Sequence, residues 1–140
     1  MPVPKTPLLT VDCVVFDAED RVLFIRRKNP PYAGSYALPG GFVDVGETVE
    51  AACRRELAEE TGVKVKTLKL TGVYSDPDRD PRGHTCSVAF WARVSKPDAK
   101  AGDDAASVEW VRSWRSADLA FDHKRIVTDA VKLMRSAEKK

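Results

Sequence analysis

The sequence predicts an α+β fold, in which a mixed β-sheet carries one helix on each face. The chain has 140 residues, which suits a single domain over residues 1–140 with a buried core. Its apolar runs and helical patterns follow the order β-β-α-β-β-β-α. Because this order does not alternate strictly, it favours a mixed sheet between helices over a doubly wound parallel sheet.

The first half of the chain is predicted to hold two strands and one helix. Residues 10–16 (TVDCVVF) and 22–25 (VLFI) are apolar and β-rich, and the polar residues 17–20 between them indicate a hairpin. A loop rich in proline and glycine leads to a helix over residues 47–61. Gly62 should end this helix, because glycine readily adopts the left-handed conformation.

The second half is predicted to hold three strands and a closing helix. The strands are residues 66–74, 85–94 and 108–111, separated by polar loops at 75–84 and 97–106. Asp122 is the expected N-cap of the closing helix. One face of this helix is apolar and is formed by Ile126, Ala130, Val131 and Met134.

The composition disfavours several classes of partner. With 23 basic and 21 acidic residues the formal charge is +2, which indicates neither a nucleic acid nor a membrane surface as partner. No apolar run is long enough to span a bilayer, and the first residues lack the apolar core of a secretory signal. The three cysteines are isolated and lack metal-site spacing, so we interpret them as reduced packing residues of a cytoplasmic protein.

The first predicted helix carries glutamates on the stripe that should face the sheet. At about 100° per residue, Glu56, Glu59 and Glu60 continue the stripe begun by Ala52 and Cys53. These carboxylates repel one another, and partial burial increases the cost. A divalent cation removes the repulsion, and oxygen ligands suit Mg²⁺ or Mn²⁺ better than zinc. The alternative is a solvated acidic face that pairs with neighbouring arginines.

Residues 41–63, GFVDVGETVEAACRRELAEETGV, resemble the signature of the Nudix hydrolases, G-x5-E-x7-R-E-U-x-E-E-x-G-U with U aliphatic. Every specified position matches, namely Gly41, Glu47, Arg55, Glu56, Leu57, Glu59, Glu60, Gly62 and Val63. The resemblance implies an α/β/α sandwich around a mixed sheet. It also implies that water attacks the pyrophosphate of a nucleoside diphosphate linked to another group, X.

The resemblance also implies residue roles. The implied ligands of Mg²⁺ or Mn²⁺ are Glu56, Glu59 and Glu60, together with the backbone at Gly40. Arg55 is the implied structural partner of Glu47, and the backbone at Gly40 and Gly41 should face metal and phosphates. The metals would neutralise the pyrophosphate charge and lower the pKa of bound water, and positioning would supply most of the remaining catalysis.

Segments outside the signature resemble the microbial, archaeal-type ADP-ribose pyrophosphatases. They are residues 72–84 (GVYSDPDRDPRGH), 100–105 (KAGDDA) and 119–123 (LAFDH). This resemblance implies cleavage of ADP-ribose to AMP and ribose 5-phosphate by a homodimer. The alternatives are a MutT-like nucleoside triphosphatase, against which the 75–84 loop argues, and a non-catalytic ADP-ribose sensor, against which the intact signature argues.

Further substrate contacts are expected from loops and a strand end. Arginines suit phosphates and aspartates suit ribose hydroxyls, and the loop candidates are Asp76, Asp78, Asp80, Arg79, Arg82 and His84. Internal pairing of these charges is the alternative. Arg27 ends a strand near the glycine-rich loop and is expected to reach a phosphate, unless it is an ordinary solvated residue.

Two acids and several aromatic residues complete the candidates. Asp103 is a candidate for substrate binding and Asp104 for catalysis, although Gly-Asp-Asp is also ordinary turn chemistry and a signature glutamate is an equal candidate for the base. Tyr36 and Phe121 are the aromatic candidates for stacking on adenine. His123 is expected to make local hydrogen bonds rather than to act in catalysis.

Overall fold

Seven strands form one mixed sheet within the residues that the computed structural model describes, 2–95 and 105–139. The strands are β1 (Leu8–Phe16), β2 (Val22–Arg27), β3 (Tyr36–Ala37), β4 (Gly40–Phe42), β5 (Lys69–Tyr74), β6 (Thr85–Arg93) and β7 (Ala105–Val111). The helices are α1 (Val49–Thr61) and α2 (His123–Glu138), and a short 3-10 helix spans Trp114–Ser116.

The sheet order is β3-β2-β1-β6-β5, with β4 also paired to β1 and β7 to β2. β1 and β6 run parallel, from Leu8 beside Thr85 to Phe16 beside Arg93. The other strand pairings are antiparallel. The predicted mixed sheet and α+β class are therefore confirmed.

The sequence missed two short strands in the segment predicted as a loop. β3 and β4 contain two and three residues, too few to display a side-chain alternation. They are held by pairing with β2 and β1. The predicted hairpin between β1 and β2 is confirmed, with Phe16 beside Val22 and a left-handed Asp20 (φ 63°) in the turn. β7 begins at Ala105, three residues before the predicted start.

The two faces of β1 contribute to two separate parts of the core. Val11, Cys13 and Val15 pack on one face with α1, while Val14 and Phe16 pack on the other face with α2. The predicted apolar face of α2 is confirmed, since Ile126, Ala130, Val131 and Met134 are all buried. In the described part of the chain, neither helix combines the length and the apolar content that a membrane crossing requires.

Both ends of α1 are capped. The Thr48 side chain accepts a hydrogen bond from the Ala51 N–H at 3.1 Å, so the helix begins at Val49, two residues later than predicted. Gly62 takes φ 75° and donates its N–H to the Ala58 carbonyl at 2.9 Å, which confirms the predicted helix stop.

Two of the three free cysteines are close in space. The Sγ atoms of Cys13 on β1 and Cys53 on α1 lie 2.7 Å apart, and both side chains are buried. Their role in packing the helix on the sheet agrees with the prediction, but their isolation in the sequence did not indicate this contact. The contact depends on the register of α1 over β1, which only tertiary packing sets.

Candidate active site

Arg55 on α1 gathers the acidic side chains of the signature. Its Nε and Nη2 donate to the two carboxylate oxygens of Glu47 at 2.7 and 2.9 Å, and its Nη1 donates to Glu56 Oε1 at 2.7 Å. Nη2 also donates to the Phe42 carbonyl at 3.0 Å. The predicted pair of Arg55 and Glu47 is therefore present, and it ties α1 to the segment that precedes it.

The ion pair of Glu47 with Arg55 should make the free energy of unfolding depend on pH in the acid range. The Arg55 hydrogen bonds and the Asp44 N–H lower the pKa of Glu47 from 4.5 to about 2. Because the folded pKa is the lower one, its stabilisation is present above about pH 4.5 and is lost as pH falls through about 2. We expect Glu47→Gln to flatten the dependence of the urea midpoint on pH between about 5 and 2, whereas exposed Glu50→Gln should leave it unchanged. An unchanged slope in Glu47→Gln would contradict the ion pair.

Glu56 and Glu60 form a carboxyl pair at the sheet end of α1. Burial and the charge of Glu56 raise the pKa of Glu60 to about 9, against the opposing effect of the Gly40 N–H, which donates to Glu60 Oε2 at 3.2 Å. A hydrogen bond between the two carboxyls also favours the protonated form of Glu60. The pair therefore holds a proton where two negative charges would otherwise face each other.

Glu59 does not share the inward stripe that the helical wheel predicts. Its side chain is 62% exposed, and its Oε2 lies 3.4 Å from Arg55 Nη1. The wheel is wrong here because the sheet contacts the side of α1 that carries Leu57 and Thr61, which are fully buried. Among the described residues, no three Asp, Glu, His or Cys side chains are already arranged around one cation position.

The chemistry of the donors nevertheless fits a divalent cation. Glu56 and Glu60 are adjacent, offer only oxygen ligands and are only partly exposed, and the charge of Glu56 raises the pKa of Glu60, so positive charge is favoured between them. Glu59 would join them by turning away from Arg55. The Gly40 N–H is a donor and cannot ligate a metal, so the predicted metal contact at this residue would have to be its carbonyl.

The two glycines before α1 allow the close approach of strand and helix. A Cβ on Gly40 would lie 2.1 Å from the Val11 carbonyl oxygen, and a Cβ on Gly41 would lie 2.7 Å from the Glu56 carboxylate. A backbone contact therefore requires glycine at position 40, whereas at position 41 a side chain would displace only the end of the Glu56 side chain. The predicted placement of this backbone beside the acidic cluster is present.

A buried polar network centred on Asp12 of β1 was not predicted from the sequence. Asp12 accepts hydrogen bonds from Ser87 Oγ at 2.6 Å and from Arg79 Nη2 at 3.4 Å, and its Oδ1 lies 3.2 Å from His123 Nε2. His123 Nδ1 accepts from the Leu38 N–H at 3.0 Å, so the ring proton is on Nε2 and the ring is a neutral donor to Asp12.

Several contacts determine the charge state of Asp12. Burial raises the pKa of Asp12, but the interactions with His123, Ser87 and Arg79 lower it by more. The net pKa therefore lies below the ordinary value. A charged residue inside the apolar run TVDCVVF was the sequence signal that this network exists.

Arg79 has a structural position rather than the predicted phosphate contact. Its side chain is 5% exposed, and its Nε and Nη2 donate to Asp122 at 2.9 and 2.7 Å. Its Nη1 donates to Thr85 Oγ1 at 2.8 Å. Asp122 does precede α2 as predicted, but its carboxylate binds Arg79 and makes no capping hydrogen bond.

We expect Arg79→Ala to lower the free energy of unfolding by about 2–3 kcal/mol, because it leaves Asp122 and Asp12 without their guanidinium. Arg82→Ala is the matched control in the same loop, since Arg82 is 54% exposed. Its expected cost is below about 1 kcal/mol. Urea denaturation measures both variants, and equal values would refute the structural assignment of Arg79.

The remaining loop candidates pair mostly with one another. Arg82 donates to both carboxylate oxygens of Asp80 at 3.1 and 2.8 Å, and Asp76 accepts the Asp78 N–H at 2.9 Å. His84 Nε2 lies 2.9 Å from the Ser75 carbonyl oxygen, across the base of the loop. The internal pairing that the sequence left open as an alternative is therefore what the structure contains. Asp103 and Asp104 lie outside the described residues.

The two aromatic candidates lie in different surroundings. Tyr36 packs against the α2 side of the core, where Arg26 Cζ lies 4.2 Å from its ring centroid. The Phe121 ring lies 5.3 Å from His123 and 5.1 Å from Arg27 Cζ. Arg27, the predicted phosphate contact, therefore lies against this ring, and its Nε donates to the Pro31 carbonyl at 2.6 Å.

Comparison with known proteins identifies the family. The model of the NUDIX domain matches residues 6–136. The chain is 49% identical over 123 residues to the ADP-ribose pyrophosphatase of Methanocaldococcus jannaschii, covering 88% of this chain and 72% of that protein. It is 33% identical to the ADPR-responsive transcriptional repressor NtrR of Acinetobacter baylyi, covering 89% of this chain and only 53% of the repressor.

A solved structure supports the same assignment. The NUDIX domain of Shewanella oneidensis NrtR, crystallised with ADP ribose, superposes with a TM-score of 0.87 at 32% identity, covering 93% of this chain and 90% of that one. Family model, sequence relative and solved structure thus agree on the family. The chain belongs to the NUDIX family.

Proposed function

We propose that this protein hydrolyses the pyrophosphate bond of ADP-ribose to AMP and ribose 5-phosphate and that it requires Mg²⁺ or Mn²⁺. The observation that carries the reaction class is the partly buried pair of Glu56 and Glu60 against the Gly40 N–H. The 49% identity to an ADP-ribose pyrophosphatase supports the choice of substrate.

The protein groups have separable roles in this proposal. Glu56, Glu59 and Glu60 would hold the divalent cation, which when bound neutralises phosphate charge and acidifies water. Arg55 fixes Glu56 and Glu47 in place, so that the cluster is built before substrate arrives. The Gly40–Gly41 backbone can lie close to β1 and to the Glu56 carboxylate, because neither residue has a side chain. The general base stays open between a signature glutamate and Asp104.

Two other functions deserve a direct comparison. A MutT-like triphosphatase would use the same cluster, and a sensor would bind ADP-ribose without cleaving it. The sensor is supported by one observation, because the solved NrtR domain is a complex with ADP ribose. We favour the enzyme, because every residue specified by the hydrolase signature is present in this chain.

The test is turnover of ADP-ribose against a panel of nucleoside triphosphates, with Mg²⁺ or Mn²⁺ and in ¹⁸O-labelled water. We expect AMP and ribose 5-phosphate as products, with the label in one of them identifying the attacked phosphorus. A preference for any triphosphate would refute the substrate, and binding of ADP-ribose without metal-dependent turnover would indicate a sensor.

We also propose a homodimer in the cytoplasm. Leu70 and Val73 on β5, which ends the sheet order, are each 59% exposed and offer an apolar surface for a second copy. The free thiols fit a reducing compartment. Light scattering gives the mass in solution, and a monomeric mass would count against the dimer.

A further inference from the structure

Two aromatic side chains meet beside His123 of the Asp12 network. The rings of Tyr32 and Phe121, which we call the aromatic shelf, meet edge to face with centroids 4.9 Å apart. Tyr32 remains 43% exposed. Both residues have a left-handed backbone, with φ of 61° and 54°. Non-glycine residues seldom adopt this conformation, and it is common at ligand-binding sites.

A chain of contacts connects the shelf with the carboxyl pair. The Phe121 ring lies 5.3 Å from the ring of His123, and His123 Nε2 lies 3.2 Å from Asp12. Asp12 Oδ1 lies 3.0 Å from the position that a Cβ on Gly40 would take, and the Gly40 N–H binds Glu60. A ligand bound at Glu60 therefore has the shelf within reach of its next groups.

Two arginines lie against the Phe121 ring of the shelf. Arg27 Cζ and Arg82 Cζ are 5.1 and 5.6 Å from the centroid of Phe121. Arg82 is neutralised by Asp80, but Arg27 donates to the Pro31 carbonyl at 2.6 Å and forms no ion pair with a described carboxylate. Partial burial and the charge of Arg82 lower the pKa of Arg27, and the charges of Asp80 and Glu60 oppose this shift only in part.

We propose that the aromatic shelf binds the nucleobase of the substrate and that Arg27 binds the phosphate next to that nucleoside. The proposal rests on the proposed function, since a nucleoside diphosphate linked to X offers a flat base, a ribose spacer and then a phosphate. The base stacks on the exposed face of Tyr32, while Phe121 supports that ring at its edge. The ribose 5-phosphate end has no aromatic face, so the shelf discriminates between the two ends.

The experiment is calorimetric titration of AMP, adenosine and ribose 5-phosphate into wild type and variants, with and without Mg²⁺. Tyr32→Gly removes the ring and keeps the left-handed backbone without strain. This variant should weaken the binding affinity for AMP and adenosine by about 5- to 100-fold, which is the range for one stacked base. The affinity for ribose 5-phosphate should stay within about twofold of the wild-type value. Tyr32→Phe should bind all three like wild type.

A second variant separates the phosphate contact from stacking. Arg27→Gln should weaken the affinity for AMP by about tenfold. It should leave the affinity for adenosine unchanged, because adenosine has no phosphate. Leu133→Ala, which trims an apolar side chain that is 40% exposed on α2, is the control and should change nothing. If Tyr32→Gly fails to unfold cooperatively, Tyr32→Asn replaces it, because asparagine also tolerates this backbone.

Unchanged AMP affinity in Tyr32→Gly, an equal loss for ribose 5-phosphate, or no AMP binding by wild type would each overturn the proposal. These outcomes are independent of turnover. A wild type that binds AMP through Tyr32 but does not cleave ADP-ribose would refute the proposed function and leave the shelf assignment in place.

Discussion

Glu60→Gln is expected to fold normally and to lose activity on ADP-ribose by about 100-fold or more. Glutamine has the shape of glutamate and still accepts the Gly40 N–H, so the contact at 3.2 Å can persist. The substitution also removes an ionisable group, the Glu60 carboxyl, whose pKa is raised to about 9 by burial and by the charge of Glu56. The variant does lose the negative charge that would bind a divalent cation, and electrostatic stabilisation by such a cation amounts to several kcal/mol of transition-state energy.

The measurement combines kcat/KM over a Mg²⁺ series with Mn²⁺ binding followed by electron paramagnetic resonance. Mn²⁺ affinity and activity should fall together, while the free energy of unfolding should not drop by more than about 1 kcal/mol. Glu50→Gln, which removes an exposed charge from the first turn of the same helix, should leave both unchanged. Wild-type activity of Glu60→Gln at saturating Mg²⁺ would refute the metal role of Glu60.

Alanine substitution of the two neighbouring glycines should give opposite outcomes. In Gly40→Ala the new methyl group would lie 2.1 Å from the Val11 carbonyl oxygen, which belongs to the backbone of the central strand. Neither strand can move without breaking the pairing of β4 with β1. We expect Gly40→Ala to lose about 3 kcal/mol or more of stability, at the upper end of overpacking effects.

Gly41→Ala should instead fold and lose activity. Its methyl group would lie 2.7 Å from the Glu56 carboxylate, the far end of a side chain that can rotate away. The backbone contacts of the fold then survive, while the Glu56–Glu60 pair is disrupted. Urea denaturation with ADP-ribose turnover distinguishes the two variants. Equal stability losses, or an active Gly41→Ala, would contradict the close packing of these glycines on their neighbours.

The chemistry of the site was largely predictable from the sequence, because it depends on residues close together in the chain. The signature places Arg55, Glu56 and Glu60 on α1 and Glu47 just before it, and its match predicted both the ion pair and the family. Helix α1 and its stop at Gly62 followed from local propensity and capping, which also act over a few residues.

The contacts of the loop at residues 75–84 were less predictable, because its charged side chains have several possible partners. Arg79 was equally suited to a phosphate or to an internal acid, and only the position of Asp122, 43 residues later, decides for the acid. Asp12 and His123 are 111 positions apart and meet because β1 lies beside the start of α2. Long-range contacts of this kind have no local sequence signature.

The sequence by itself determined the order of the longer strands and helices, the family and the concentration of glutamates on α1, since periodicity and signature spacing depend on residues that are neighbours on one helix or strand. Only the tertiary structure decided which glutamates face the sheet, which arginine is buried, and that Tyr32 and Phe121 meet beside His123. The reason is physical: desolvation, packing and charge pairing depend on groups from distant segments, and these are chosen when the helices dock on the sheet.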